Sequence, residues 1–257
     1  MSWRNNLLIP QLTIYRALAP RDQRRAWQKY WSTARDDEVM WDAGHSPESD
    51  TTAARLREHA DLTLPIVDLG CGNGTQSRAL ARIAPRVIGI DGAEAAIARA
   101  NAAGGGVEYR VADATEEGLG ERLHDELGDV NVHIRGMLHI VAPEARPAVV
   151  RNLAAMLGAR GTAHICETNV RGNPLVILRR QGATAIGMPP ILRRLIASGV
   201  RPPINFGQPE VEAHFPPDAW QVLASGPTTQ YGRPLRAGGP LQEVPCYYAI
   251  VRTAPDR

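Results

Sequence analysis

The segment from residue 67 to residue 75 reads Val67-Asp68-Leu69-Gly70-Cys71-Gly72-Asn73-Gly74-Thr75. An acidic residue ends an apolar run, and glycine then stands at every second position. Glycine lets the backbone turn sharply and lie against a ligand, because a Cβ there would fill the ligand's space. The segment therefore predicts a strand, a ligand-binding turn and a helix from about Thr75. A bare tight turn is the alternative.

The surrounding sequence predicts an α/β fold. Short apolar runs alternate with longer amphipathic stretches from Leu64 to about Cys166, which is typical of βα units around a parallel sheet. We expect strands at 65–69, 86–91, 107–112, 130–135 and 161–167, and helices at 75–84, 93–103, 116–127 and 144–157. Two late runs, 220–224 and 246–252, predict an antiparallel edge pair. Together they indicate a Rossmann-like, mostly parallel seven-stranded sheet with an antiparallel final strand and helices on both faces.

Two more of these predicted strands end in an acidic residue. Asp91 ends the second strand about 20 positions after the glycine turn, and Asp113 follows the third strand with Ala114 behind it. A carboxylate at the second strand tip can accept hydrogen bonds from both ribose hydroxyls of an adenosine. A helix N-cap is the alternative role for Asp91, and a simple turn or cap is the alternative for Asp113.

Together these motifs resemble those of class I S-adenosylmethionine (SAM) dependent methyltransferases of the small-molecule type. The family's first motif, an acidic residue followed by GxGxG, is matched by Asp68, Gly70, Gly72 and Gly74, and the resemblance covers roughly residues 64–170. It implies SAM as cofactor and S-adenosylhomocysteine (SAH) as product, with Asp113 binding the adenine and Gly136 lining the methionine side. The cofactor site would comprise Asp68, Gly70, Cys71, Gly72, Asp91, Gly92, Asp113, Ala114 and Gly136.

Several functions compete with methyl transfer. The dinucleotide fingerprint GxGxxG does not fit, because Thr75 stands three positions after Gly72. A SAM-bound cyclisation or rearrangement, a non-catalytic SAM-binding module and, less favoured, an NAD-dependent oxidoreductase stay open. We favour methyl transfer to oxygen, nitrogen or carbon of a small, partly apolar metabolite by in-line displacement.

His139 and Glu167 are the predicted catalytic residues. They follow the fourth strand and end the fifth, and ligands of open α/β sheets bind beyond these strand ends. An imidazole titrates near neutral pH and can serve as a base, while Glu167 could bind an amine or hydroxyl of the acceptor. The alternatives are a capping or packing histidine and a solvated loop acid. His133 and His164 lie within strands and are expected to pack or hydrogen-bond there.

We expect one methyltransferase domain over residues 1–257. Its parts would be an N-terminal helical arm or lid (1–60), the SAM-binding core (61–170), a substrate-side insertion after strand five (171–206), and a C-terminal helix and strand pair (207–257). The arm's tryptophans are favoured as core residues over an acceptor platform. The insertion's apolar stripes flanked by arginines suit a lid over a hydrophobic or carboxylate-bearing acceptor, but equally a surface helix pair or a homodimer contact.

The composition limits the partners. The net charge of +2 is too small to indicate a nucleic-acid surface, so we expect a small-molecule methyl acceptor and no nucleic acid. Three separated cysteines form no CxxC pair, which predicts no metal site, no disulfide framework and a cytoplasmic location. An apolar run of membrane-spanning length does not occur, so no membrane span is expected.

Overall fold

The computed structural model describes residues 22–35, 39–170, 189–201, 205–233 and 240–255. In these ranges one seven-stranded sheet has the order β3-β2-β1-β4-β5-β7-β6. The first five strands are parallel, and β7 lies antiparallel between β5 and β6. The predicted sheet is thereby confirmed. The strands are β1 Ile66–Leu69, β2 Val87–Asp91, β3 Glu108–Val111, β4 Asn131–Arg135, β5 Ala163–Thr168, β6 Trp220–Gly232 and β7 Gln242–Thr253.

Helices surround this sheet. They are α1 Gln23–Thr33, α2 Pro47–His59, α3 Thr75–Leu80, α4 Glu94–Ala102, α5 Leu119–Leu127, α6 Arg146–Leu157, α7 Pro190–Ser198 and α8 Gln208–His214, with a 3₁₀ turn, Pro143–Ala145, before α6. The helix predicted at 75–84 ends early, at Leu80. Pro85 disfavours the helical conformation at the residue before it, so residues 81–84 form turns instead. None of the helices in the described ranges has the length and apolar character that a membrane crossing requires.

Both faces of the sheet are covered, which explains the continuous apolar runs of the central strands. All four residues of β1 are buried. Val67 and Leu69 belong to the large core cluster that includes residues of α5 and α6. Ile66 packs in a second cluster with Leu56 of α2 and Leu80 of α3. The glycine turn is therefore attached to a strand that is fixed from both sides.

The strand pair at the end of the chain is longer than predicted. The sequence indicates strands at 220–224 and 246–252, whereas β6 and β7 have 13 and 12 residues. Pro227 breaks the apolar pattern of β6, but β6 lies at the edge of the sheet, where a proline is tolerated. The antiparallel pairing predicted for this segment is confirmed.

The part of the insertion that the structure describes contacts the N-terminal arm. Lys29 of α1 donates from Nζ to the carbonyl of Ala197 in α7 at 3.0 Å. Gln23 donates from Nε2 to the carbonyl of Gly199 at 3.2 Å, just after α7 ends. Residues 171–188 and 202–204, which complete the predicted insertion, lie outside the described residues.

Two neighbouring histidines are buried in the middle of the sheet. His133 on β4 pairs in register with His164 on β5, and their Nδ1 atoms lie 3.2 Å apart. They are 1% and 0% exposed, which confirms that they pack within the strands. Burial lowers the pKa of His133 to about 3 and holds the pKa of His164 well below its usual value. Both imidazoles are therefore neutral in the folded protein near pH 7.

This pair should make the fold sensitive to acid. In the unfolded chain both histidines take up protons below about pH 6.5, whereas the buried rings do not. Lowering the pH therefore stabilises the unfolded state, and the free energy of unfolding decreases as the pH decreases. We expect a loss of about 2 kcal/mol per histidine between about pH 7 and about pH 5. Urea unfolding at both pH values would measure it. Asp68 has a pKa raised to about 6 and opposes the trend, so the control is His133→Leu/His164→Leu, which retains Asp68. An equal pH dependence of both proteins would contradict the prediction.

Candidate functional site

The glycine turn leaves β1 at the carboxyl edge of the sheet. Gly70, Gly72 and Gly74 have φ angles of 81°, 56° and 75°, in the left-handed region that side chains with a Cβ rarely adopt. The amides of Gly70 and Cys71 donate to the carbonyl of Ile90 at 2.7 and 3.0 Å, so the turn is held against β2. Its conformation requires glycine, as the sequence predicts.

Protein side chains lie closer to this turn than the sequence indicates. A Cβ on Gly72 would lie 2.8 Å from Cζ2 of Trp31, and a Cβ on Gly70 would lie 3.0 Å from the side chain of Met137. The hydroxyl of Tyr109 meets the corresponding position at Gly74. Side chains of the protein itself thus occupy part of the space next to the turn. A ligand bound at the turn would therefore contact these side chains as well as the glycine backbone.

Asp91 links the glycine turn to the start of α4. Its Oδ2 accepts a hydrogen bond from the amide of Gly72 at 3.0 Å, and its Oδ1 accepts one from the amide of Ala93 at 2.8 Å. The N-cap of α4 is Ala93, so the alternative of Asp91 as that N-cap is wrong. Burial raises the pKa of Asp91, and the two amide hydrogen bonds oppose this effect. A carboxylate at this strand tip is thus fixed against the turn.

The other two acidic strand ends have different surroundings. Asp68 is 2% exposed, and its Oδ2 accepts a hydrogen bond from Ser77 Oγ of α3 at 2.5 Å. Burial raises the pKa of Asp68 to about 6. Asp113 forms a turn of its own, because its Oδ1 accepts from the amide and the hydroxyl of Thr115 at 2.9 and 2.7 Å. The hydrogen bond of Asp68 therefore links the end of β1 to α3. Contact of Asp68 or Asp113 with a ligand stays a prediction.

The remaining predicted cofactor residues border the same edge. Cys71 is buried, which raises the pKa of its thiol. A Cβ on Gly92 would have the carbonyl of Ala112 as its nearest neighbour, at 3.8 Å. Ala114 accepts from Nδ2 of Asn152 at 2.9 Å through its carbonyl. Gly136 has a φ of 68° after β4, and a Cβ there would lie 3.5 Å from Cε1 of His139. Gly136 thus connects the cofactor residues to the catalytic candidates.

The N-terminal arm reaches the glycine turn. Asp42, which the sequence analysis did not single out, accepts at Oδ2 from Nδ2 of Asn73 at 2.7 Å. Trp31 is 2% exposed and packs with Tyr30 and Trp41 at ring separations of 5.4 and 5.9 Å. The favoured core role of the tryptophans is confirmed for Trp31, whose ring also contacts the turn. The partner of Asp42 lies 31 residues away in the sequence. A contact over this separation leaves no local motif from which Asp42 could be predicted.

Glu167 organises the loop after β4. Its side chain is 0% exposed, and its Oε1 accepts from the amides of Met137 and Leu138 at 3.0 and 2.8 Å. Its Oε2 accepts from the amide of His139 at 3.1 Å and lies 2.5 Å from His139 Nδ1. The alternative of a solvated loop acid is wrong. Both carboxylate oxygens accept hydrogen bonds from the loop, so Glu167 positions His139. These hydrogen bonds disfavour a direct contact between Glu167 and an acceptor.

His139 is thereby held in one orientation. A carboxylate oxygen accepts hydrogen bonds, so Nδ1 of His139 is the donor to Glu167, and in the neutral imidazole Nε2 then has a free lone pair. Among the described residues, none forms a hydrogen bond with Nε2 of His139. This atom is also absent from the buried polar atoms that lack a partner. A histidine oriented by a buried carboxylate is a common arrangement for a general base. Across all the residues that the structure describes, no cluster of three or more His, Cys, Asp or Glu side chains could hold a metal ion.

The match to known sequences falls on this same region. A family model described as a methyltransferase domain matches residues 66–161, from β1 to just before β5. The matched segment contains the glycine turn, Asp91, Asp113 and His139. The ubiquinone biosynthesis O-methyltransferase of Sinorhizobium fredii is 30% identical to the chain over 120 residues, which are 42% of this chain and 45% of that protein. The chain thus matches less than half the length of this curated relative.

Solved structures share the fold well beyond the methyltransferase domain. A SAM-dependent methyltransferase from Anabaena variabilis superposes with a TM-score of 0.81 at 24% identity, covering 92% of this chain and 97% of that one. The magnesium protoporphyrin IX methyltransferase of Synechocystis, solved with bound SAH, has a TM-score of 0.54 at 17% identity and covers 88% and 93%. At these identities the likeness shows the fold and carries no argument about substrates.

Proposed function

We propose that the chain transfers the methyl group of SAM to oxygen, nitrogen or carbon of a small-molecule acceptor. The observation that carries this proposal is the Asp91 carboxylate fixed 3.0 Å from the amide of Gly72, within a methyltransferase domain. Each carboxylate oxygen accepts more than one hydrogen bond, so Asp91 can still bind ribose hydroxyls. Gly70 and Gly72 would face the methionine part, and Asp113 would bind the adenine.

SAM, when bound, supplies a methyl carbon activated by the sulfonium. The protein then has to align the acceptor and exclude water, and for a weakly acidic acceptor it has to remove a proton. Nε2 of His139 is the atom we assign to that proton, since Glu167 fixes the opposite side of the ring. Trp31 closes the site on the side of the arm, because its ring lies against Gly72.

Calorimetry with SAM and SAH tests the cofactor part of the proposal. We expect binding of both, and no binding at about millimolar ligand would end it. Cell extract incubated with methyl-labelled SAM and the protein tests the transfer. Label in a low-mass product supports methyl transfer, whereas a new product without label supports a rearrangement. A cytoplasmic location and a homodimer stay predictions, and three free, buried cysteines fit a reducing compartment.

Replacing the proposed base should separate catalysis from binding. We expect His139→Gln to lower kcat by about 100-fold to 1,000-fold for an acceptor that must lose a proton, with SAH affinity within about twofold of the parent. The rate should also recover as the pH rises, because hydroxide or prior ionisation replaces the base. Exposed His45 offers a matched control, His45→Gln, with unchanged kinetics. An unchanged kcat in His139→Gln would contradict the role of His139.

A further inference from the structure

Arg146, at the start of α6, is a buried cation that the proposed reaction does not yet use. The residue is 3% exposed. Its Nε donates to the carbonyl of Val141 at 3.3 Å, whereas Nη2 is buried and has no hydrogen-bond partner in the described part of the chain. An unsatisfied buried guanidinium donor costs free energy unless a partner is supplied. The missing partner has to be an acceptor atom, because arginine only donates.

The acidic residues around Arg146 are already engaged. Glu167 accepts hydrogen bonds from the loop after β4, and Oε2 of Glu210 accepts from the amide of Gly207 at 2.7 Å. Burial lowers the pKa of Arg146, and the charges of Glu167 and Glu210 counteract this effect from nearby. Within the ranges that the structure describes, no carboxylate comes within ion-pair distance of its guanidinium. The positive charge at Nη2 is thus left without an anionic partner among the described residues.

Arg146 belongs to the same loop region as the proposed base. Val141, whose carbonyl it contacts, donates its own amide to the carbonyl of Met137 at 3.1 Å, two residues before His139. On the other side, the guanidinium carbon lies 5.5 Å from the ring centroid of Phe206. The amide of Phe206 donates to the carbonyl of Thr168, the residue after Glu167, at 3.1 Å. Arg146 is therefore linked by these contacts both to the loop that carries His139 and to the end of β5.

We propose that Nη2 of Arg146 binds a carboxylate of the methyl acceptor, while the reacting atom of the acceptor faces His139. This inference rests on the proposed function and adds the substrate class: a small organic acid. A guanidinium suits a carboxylate because its N–H donors are planar and permanently charged. The neutral amide of the same acid has the same shape but lacks the charge, so it should bind worse.

Paired ligands test this on the wild-type protein saturated with SAH. Benzoate, phenylacetate and hexanoate are each compared with their primary amides by calorimetry, up to about 10 mM ligand. We expect at least one acid to bind about tenfold or more tightly than its amide. Arg146→Met should abolish that preference and leave SAH binding unchanged. Arg151→Met, which changes an exposed arginine of the same helix, should retain the preference.

The outcomes separate this inference from the proposed function. If the wild-type protein does not bind SAH at all, the proposed function itself is wrong. Normal SAH binding with no acid preferred over its amide, or with the preference intact in Arg146→Met, would overturn the carboxylate site alone. Weaker SAH binding in Arg146→Met would assign Arg146 to the cofactor instead. If Arg146→Met does not fold, the wild-type comparison decides, together with Arg146→Lys, which should keep a reduced preference.

Discussion

Replacing Asp91 with asparagine is expected to weaken SAH binding by about 100-fold or more. Two ribose hydroxyls would donate to the carboxylate, and a hydrogen bond to a charged group contributes about 1.5 to 3 kcal/mol. Asparagine has a single acceptor oxygen, whereas Asp91 uses both oxygens for the amides of Gly72 and Ala93. Its amino group would meet one of these N–H groups, so the turn would also lose its fixed position. Calorimetry with SAH at neutral pH measures the affinity.

The matched control for this variant is Glu94→Gln. Glu94 is an exposed acid three residues further along, so the control makes the same change in charge next to the site. We expect it to bind SAH as the parent does. Circular dichroism of both variants would verify that they fold. If Asp91→Asn bound SAH within about threefold of the control, the ribose role of Asp91, and with it the proposed cofactor pose, would be wrong.

The sheet and the glycine turn could be predicted because their causes are local. The apolar runs of β1, β2, β4 and β5 follow from burial on both faces, and the turn needs glycine at residues whose φ is positive. Helix ends were less well predicted, as α3 shows, because they depend on single residues such as Pro85. The length of β6 was missed, since an edge strand lacks the apolar pattern of a buried one.

The arrangement of the catalytic candidates could not be predicted in the same way. The sequence places His139 and Glu167 after neighbouring strands but contains no sign that one carboxylate accepts from three successive amides. That pairing depends on the distance between the ends of β4 and β5 in three dimensions. Trp31 and Asp42 contact the turn from a segment whose sequence has no recognisable motif. Tertiary contacts of this kind become visible only in the structure.

Glu167→Ala should have the largest effect on stability among the changes considered, and it should abolish turnover. The substitution leaves the amides of Met137, Leu138 and His139 without their acceptor in a buried loop. An unsatisfied buried group costs about 1 to 3 kcal/mol, so for the three amides we expect a loss of about 3 to 9 kcal/mol of folding free energy. That is a large part of the stability of a typical domain. Urea unfolding and the thermal midpoint would measure the loss.

Glu167→Gln distinguishes the two tasks of this carboxylate. Glutamine has one acceptor oxygen, so it can serve the amides of Met137 and Leu138 while its amino group faces His139. We therefore expect about half the stability loss of Glu167→Ala. The kcat should fall as far as in His139→Gln, because Nδ1 no longer has a charged acceptor that fixes its hydrogen. Exposed Glu212→Ala should change stability by less than about 0.5 kcal/mol. Equal stability of Glu167→Ala and Glu212→Ala would show that Glu167 does not hold the loop.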